Sequence, residues 1–227
     1  MGIPLETLIG NLLGCVFVPS AGGPQIHFSI GAKDKQYLQP PASPTLPVTG
    51  STVTRLFQQL GIKNTLSVFS AALTDQKVLF HSSSHARLNE ACHALTSIMF
   101  PFRYAYVYIP ILPATIVEVL SSPTLFIMGV HSSLRNQVPE LMDVVVADLD
   151  GGSVTIPGSI SVPLLPEPLL TNVHEALSMV LQPELRSADS AFPLLSVAKT
   201  EPYTQDKEIR AIFIRSLAHL LQGREIH

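Results

Sequence analysis

The sequence predicts an α/β fold: a mostly parallel central sheet flanked by helices, with an N-terminal hairpin and a C-terminal amphipathic helix. Three observations predict it. Short segments that are oily on both faces recur, as strands buried on both sides of a parallel sheet do. Stripes of apolar residues at helical spacing alternate with them. The 227 residues are 46% hydrophobic and only 14% charged, enough for a sizeable core.

The elements follow in order. Residues 4–12 read as a short helix, with Leu5, Leu8, Ile9 and Leu12 on one stripe and Pro4 at its start. Residues 15–18 and 25–30 read as two strands around "PSAGGP", a hairpin signal. The proline-rich stretch 39–50 is an extended linker or strap. Ser51 or Thr52 caps a helix bearing Val53, Leu56, Phe57 and Leu60, closed by Gly61. A second helix covers about 63–74. "KVLFHS" is a strand. Ser83 or Ser84 then caps a helix carrying Leu88, Ala91, Cys92, Leu95, Ile98 and Met99.

The stretch "FPFRYAYVYIPILP", residues 100–113, is oily enough to raise a membrane span. Three prolines interrupt it and Arg103 sits inside it, whereas a spanning helix needs about 20 unbroken apolar residues. A strand over 105–109, buried on both faces, fits its Tyr, Val and Ile content better. Pro113 starts a short helix with Ile116, Val117 and Leu120, and "TLFIMGV", 124–130, is another oily strand. Residues 143–148 and 153–156 form a hairpin about Gly151-Gly152. Pro168 opens a helix with Leu170, Val173, Leu177 and Leu181. Residues 183–204 are irregular, and their "AFPLLSV" segment docks on the core. The last helix, 205–222, turns Ile209, Ile212, Phe213, Leu217 and Leu220 inward and Asp206, Lys207, Arg210 and Arg215 outward, ending at Gly223.

Composition narrows function. A net charge of −3 lacks the basic footprint of a nucleic-acid binder. Two cysteines, Cys15 and Cys92, make no disulfide framework and suit a reducing compartment. The first residues lack the basic start of a signal peptide.

Candidate chemistry is sparse. His81 and His85 are four apart, but one ends a strand and the other starts a helix, so they read as end and surface histidines; no metal site is assigned. Cys92 lies on an apolar stripe, where a buried thiol is ordinary. Ser82, Ser83 and Ser84 lack the G-x-S-x-G elbow of a hydrolase and serve better as a cap. No glycine fingerprint for a nucleotide follows a strand, and the chain is assigned no cofactor. Asp148 and Asp150 flank a turn. These readings point to a binding or regulatory module.

The segments "KVLFHSSSHARLNEACHALTSIMFPFRYAYVYIPILP", "LSSPTLFIMGVHSS" and "VVVADLDGG" together resemble the central part of a DENN domain. With "IPLETLIGNLLGCVFVP", "GGPQIHFSIGA", "PVTG" and "LLPEPLL", the chain is most similar to the N-terminal region of the set-binding-factor branch, the myotubularin-related pseudophosphatases. The resemblance implies guanine-nucleotide exchange on a Rab-family GTPase, without covalent chemistry. It also implies a division of the chain. Residues 1–50 would end the upstream longin-like lobe and its linker, 51–183 form the central lobe, and 184–227 start the downstream helical part. In the family the GTPase is gripped between two lobes. The chain is therefore expected to be a fragment or isoform, and exchange by it alone is left open. A non-catalytic adaptor that binds a GTPase or scaffold partner is the alternative. Exposed polar groups at the tips, Arg103, His131, Asp148 and Asp150, are the candidate GTPase contacts. The implied setting is cytoplasmic, peripheral on endomembranes through the parent protein.

Overall fold

The computed structural model describes residues 4–31, 34–138, 140–182 and 202–222. The chain divides into two compact units, Met1–Val48 and Thr49–His227.

In the first unit, α1 (Leu5–Cys15) follows Pro4 and buries none of its residues. Strands β1 (Ile26–Gly31) and β2 (Asp34–Leu38) pair antiparallel, from Ile26↔Leu38 to Gly31↔Asp34. The hairpin is therefore not the one expected around "PSAGGP". Helix α1 runs through Cys15, and Val16–Val18 lacks a partner strand, with Phe17 and Val18 exposed. The glycines instead close a tight turn: Gly23 N–H donates to the Ser20 carbonyl, and Gly22 N–H to that of Pro41. The true second strand, "DKQYL", is too polar to announce itself.

The second unit holds α2 (Thr52–Leu73), β3 (Lys77–Ser82), α3 (His85–Ile98) and β4 (Val107–Ile109), then β5 (Phe126–His131), β6 (Val144–Asp148) and β7 (Ser153–Thr155). Helices α4 (Leu169–Leu181) and α5 (Pro202–Gln222) follow. Short 3₁₀ helices cover Ala114–Ser121 and Ser132–Gln137. The sheet order is β4-β5-β3-β6-β7; the first four run parallel and β7 returns antiparallel. The α/β class with a largely parallel sheet is thus observed.

The inner strands are apolar on both sides because both sides are covered. Val78, Phe80, Ile127, Val145 and Ala147 face the main core with α2 and α3, joined by Val173, Leu177, Ile209, Phe213 and Leu217 from α4 and α5. Leu79, Phe126, Met128, Val130 and Val144 face the other way, under Leu112, Val117 and Leu120. Phe213 meets Phe69 edge-on at 4.7 Å. Burying such side chains stabilises by roughly 1.5–3 kcal/mol each.

Three expectations need correction. Strand β4 is not buried on both faces: it lies at the edge of the sheet, with Tyr106 and Tyr108 exposed. Its oiliness is aromatic, which suits a half-covered edge. Neither Ser51 nor Thr52 caps α2 with its side chain; Thr52 Oγ1 is buried without a partner among the described residues. The cap comes from Asp206, which does not face solvent but is fully buried. Its Oδ1 accepts from Val53 N–H at 2.9 Å and more weakly from Thr54 N–H, and its Oδ2 accepts from the Thr49 hydroxyl and from Arg210 Nε at 3.2 Å. A carboxylate at a helix N-terminus meets unpaired amides and the positive end of the dipole.

Gly61, at φ 75° and ψ 172°, is not helical and closes the first of two helical stretches, as expected; the two meet at this kink within α2. Ser84, not Ser83, caps α3. The "AFPLLSV" segment and the Gly223 stop lie outside the described residues.

Candidate functional site

Because β3, β5 and β6 are parallel, their C-terminal ends form one rim, the place where open α/β sheets present ligand and partner groups. The loops leaving these strands carry Ser82 to His85, His131 to Ser133 and Asp148 to Gly152.

Ser83 ties the rim together. Its N–H donates to Asp150 Oδ2 at 2.6 Å, and its carbonyl accepts from His131 Nε2 at 2.9 Å. Asp150 Oδ1 also accepts from Ser82 Oγ at 2.8 Å and Arg87 Nη1 at 2.9 Å. The Ser83 amide, then the hydroxyls of Ser82 and Ser83 and the Arg87 guanidinium, hold this carboxyl well below the usual carboxylate range against a smaller desolvation effect. Ser133 N–H donates to His131 Nδ1, so that nitrogen is the acceptor and Nε2–H is the donor. The His131 ring stacks on His85, with centroids 4.4 Å apart and planes 7° from parallel.

The turn bearing Asp150 is held from below. Asp148 Oδ1 accepts from the amides of Asp150 and Gly151 at 3.0 and 3.2 Å. Leu149 N–H donates to the His81 carbonyl, and Asn64 Nδ2 to the Gly152 carbonyl. Gly152 has φ 67°, and a Cβ there would stand 2.9 Å from the Gln59 carbonyl oxygen. The turn seats against the kinked part of α2, where only glycine fits.

The four candidate contacts do not form one cluster. His131 and Asp150 share the α3 side of the rim. Asp148 projects to the other face, where it lies 3.8 Å from His81 Nδ1. There His81, Asp148 and Arg135 line a cavity of about 450 Å³ with Leu141 and Val146. Arg103 is exposed in the loop between α3 and β4, at the opposite, N-terminal end of the sheet. His81 and His85 thus diverge, one toward the cavity and one into the stack. Among the described residues no group of three or more His, Cys, Asp or Glu side chains is placed to hold a metal ion. Cys92 is buried, and burial pushes its thiol well above the ordinary range, so it is poorly suited to be a nucleophile.

Sequence reasoning missed Arg87 and Asn64. A charge in the first turn of a helix ordinarily reads as solvated, and an asparagine on α2 carries no signal that a turn 88 residues away will meet it. The rim is a pre-ordered, mixed-charge surface whose polar groups hold each other in place.

Comparison with known proteins agrees with this architecture. The DENN (AEX-3) domain family model matches residues 2–152, which include the whole rim. The chain is 32% identical over 184 residues to "Myotubularin-related protein 5" of Caenorhabditis elegans, a match covering 81% of this chain and 10% of that protein. It is 25% identical over 228 residues to "DENN domain and WD repeat-containing protein SCD1" of Arabidopsis thaliana, covering 97% of this chain and 19% of that one. The chain therefore spans a tenth to a fifth of these relatives' lengths. With the family match running through both the sheet and its rim, the chain belongs to the DENN domain family.

Proposed function

We propose that this lobe promotes guanine-nucleotide exchange on a Rab-family small GTPase as part of a larger DENN protein. DENN membership across the residues that build the rim carries this reading. Exchange needs no bond made by the lobe's own side chains. It needs tighter binding to the nucleotide-free GTPase than to the loaded one, and each tenfold difference corresponds to about 1.4 kcal/mol. A rim whose loops are cross-tied before a partner arrives suits that task, since little ordering remains to oppose binding.

In this reading, residues 1–50 end the upstream lobe, 51–183 form the central lobe and 184–227 begin the downstream helical part. His131 and Asp150 meet the GTPase on the α3 side and Asp148 on the other face. Arg103, at the far end of the sheet, meets a different part of the partner. Recruitment to endomembranes from the cytoplasm runs through the parent protein. Among the described residues no helix is long and apolar enough to cross a membrane.

The test is release of fluorescent GDP from a panel of Rabs, with this chain alone and with the full-length parent. Accelerated release from one Rab subset by the parent supports the reading. Saturable binding without release identifies an adaptor instead. Neither binding nor release by the parent with any Rab refutes both exchange and the GTPase-binding adaptor.

A further inference from the structure

Away from the rim, the second unit contains a cleft of about 470 Å³ between α2, α5, the 163–166 loop and the loop after α3. Among the described residues its lining includes no charged side chain. Leu165 and Leu217 are buried at its base, while Phe102, Leu164 and Leu221 stand exposed at its mouth, at 42%, 49% and 50%. Two polar side chains, Ser70 and Thr74, interrupt this surface; the Thr74 hydroxyl donates to the Ser70 and Ala71 carbonyls, and Ser70 is the unusual one. Ser70 is only 2% exposed, lines the cleft, and its hydroxyl has no hydrogen-bond partner among the described residues. Helical serines readily satisfy themselves on the preceding turn, as Ser67, Ser178 and Ser216 do here. A buried hydroxyl without a partner is costly, and a largely apolar cleft of this size with few polar groups is the usual form of a small-molecule site.

We propose that this cleft binds an uncharged, lipid-like molecule whose single hydroxyl or carbonyl oxygen pairs with Ser70 Oγ. The absence of charge in the lining argues against nucleotides and phosphorylated ligands. The exposed leucines and Phe102 cover the apolar body, and the bound oxygen supplies the partner that Ser70 lacks. This site is independent of the GTPase reading, because it shares no residue with the rim.

The experiment compares 4-phenylbutan-1-ol with butylbenzene, which has the same apolar body without the oxygen. Binding is read from methyl shifts of Leu73, Leu165 and Leu217 in wild type, Ser70→Ala and Leu164→Glu. Ser70→Ala is expected to fold with unchanged or higher stability, since it removes an unsatisfied group. It should bind the alcohol about tenfold more weakly, the worth of one hydrogen bond, and bind butylbenzene as wild type does. Leu164→Glu, at the exposed mouth, should weaken both. Absence of saturable shifts with either molecule overturns the proposal, whether because the cleft is already filled or because it serves a protein partner. Equal alcohol affinity in wild type and Ser70→Ala overturns it as well, as does equal weakening of both molecules by Ser70→Ala.

Discussion

Gly129→Ala tests how β4 is fixed to the sheet. Gly129 lies in the middle of β5, opposite Phe80, and a Cβ there would stand 2.0 Å from the Pro110 carbonyl oxygen and 3.1 Å from Leu88 Cβ. Ordinary contact begins near 3.4 Å, so the Pro110 backbone would have to retreat by about 1.4 Å. It has little room to do so. Just beyond Pro110, Leu112 N–H donates to the Gly129 carbonyl at 2.8 Å, and just before it Ile109 pairs with Met128. Overpacking a tight site costs about 1–3 kcal/mol, and losing the Leu112 bond adds about 1 kcal/mol. The expected destabilisation is about 2–4 kcal/mol, a large part of the ~5–15 kcal/mol that holds a domain together. Urea unfolding of wild type, Gly129→Ala and the milder Ile127→Val measures it. Hydrogen exchange at the Leu112 amide should quicken in Gly129→Ala alone. A Gly129→Ala midpoint within error of wild type, with Leu112 still protected, would refute the close approach.

Asp206→Ala should cost about 3 kcal/mol by urea unfolding, because it uncaps α2 and leaves the buried Thr49 hydroxyl and the Val53 amide without their acceptor; a loss below about 1 kcal/mol would mean that water replaces the carboxylate. Asp150 has a depressed folded pKa, so its stabilisation is present above the ordinary carboxylate range and fades as pH falls below about 4. Thermal midpoints between pH 5 and pH 2 should therefore fall more steeply in wild type than in Asp150→Asn, and parallel curves would contradict the assigned network. Native alkylation followed by mass spectrometry should modify exposed Cys15 and spare buried Cys92, with both modified after unfolding; native labelling of Cys92 would show that α3 opens.

The inner strands were legible because they are buried on both faces, and α3 because its buried stripe follows the helical period. "KVLFHS" and the stripe from Leu88 to Ile98 need no tertiary information. What escaped were features set by distant partners. Asp206 sits on a helix face that reads as solvated until α2 is placed against it. The DKQYL strand owes its conformation to backbone pairing with β1, not to apolar alternation. Tyr106 and Tyr108 are oily enough for an interior strand, but composition alone does not reveal that the sheet ends there. At the rim, Asp148 and Asp150 are two residues apart and serve different faces, so their proximity in sequence carried the turn and not its division of labour.

The capping of α2 by Asp206 also bears on how the protein is made. Val53 leaves the ribosome 153 residues before the carboxylate that completes its helix. At synthesis rates of about 5–20 residues per second, that is roughly 8–30 s. Throughout that interval the nascent lobe carries an open helix end and an uncovered groove where Phe213 will lie, a natural stopping point for chaperones and a reason for the lobe to close only when α5 arrives.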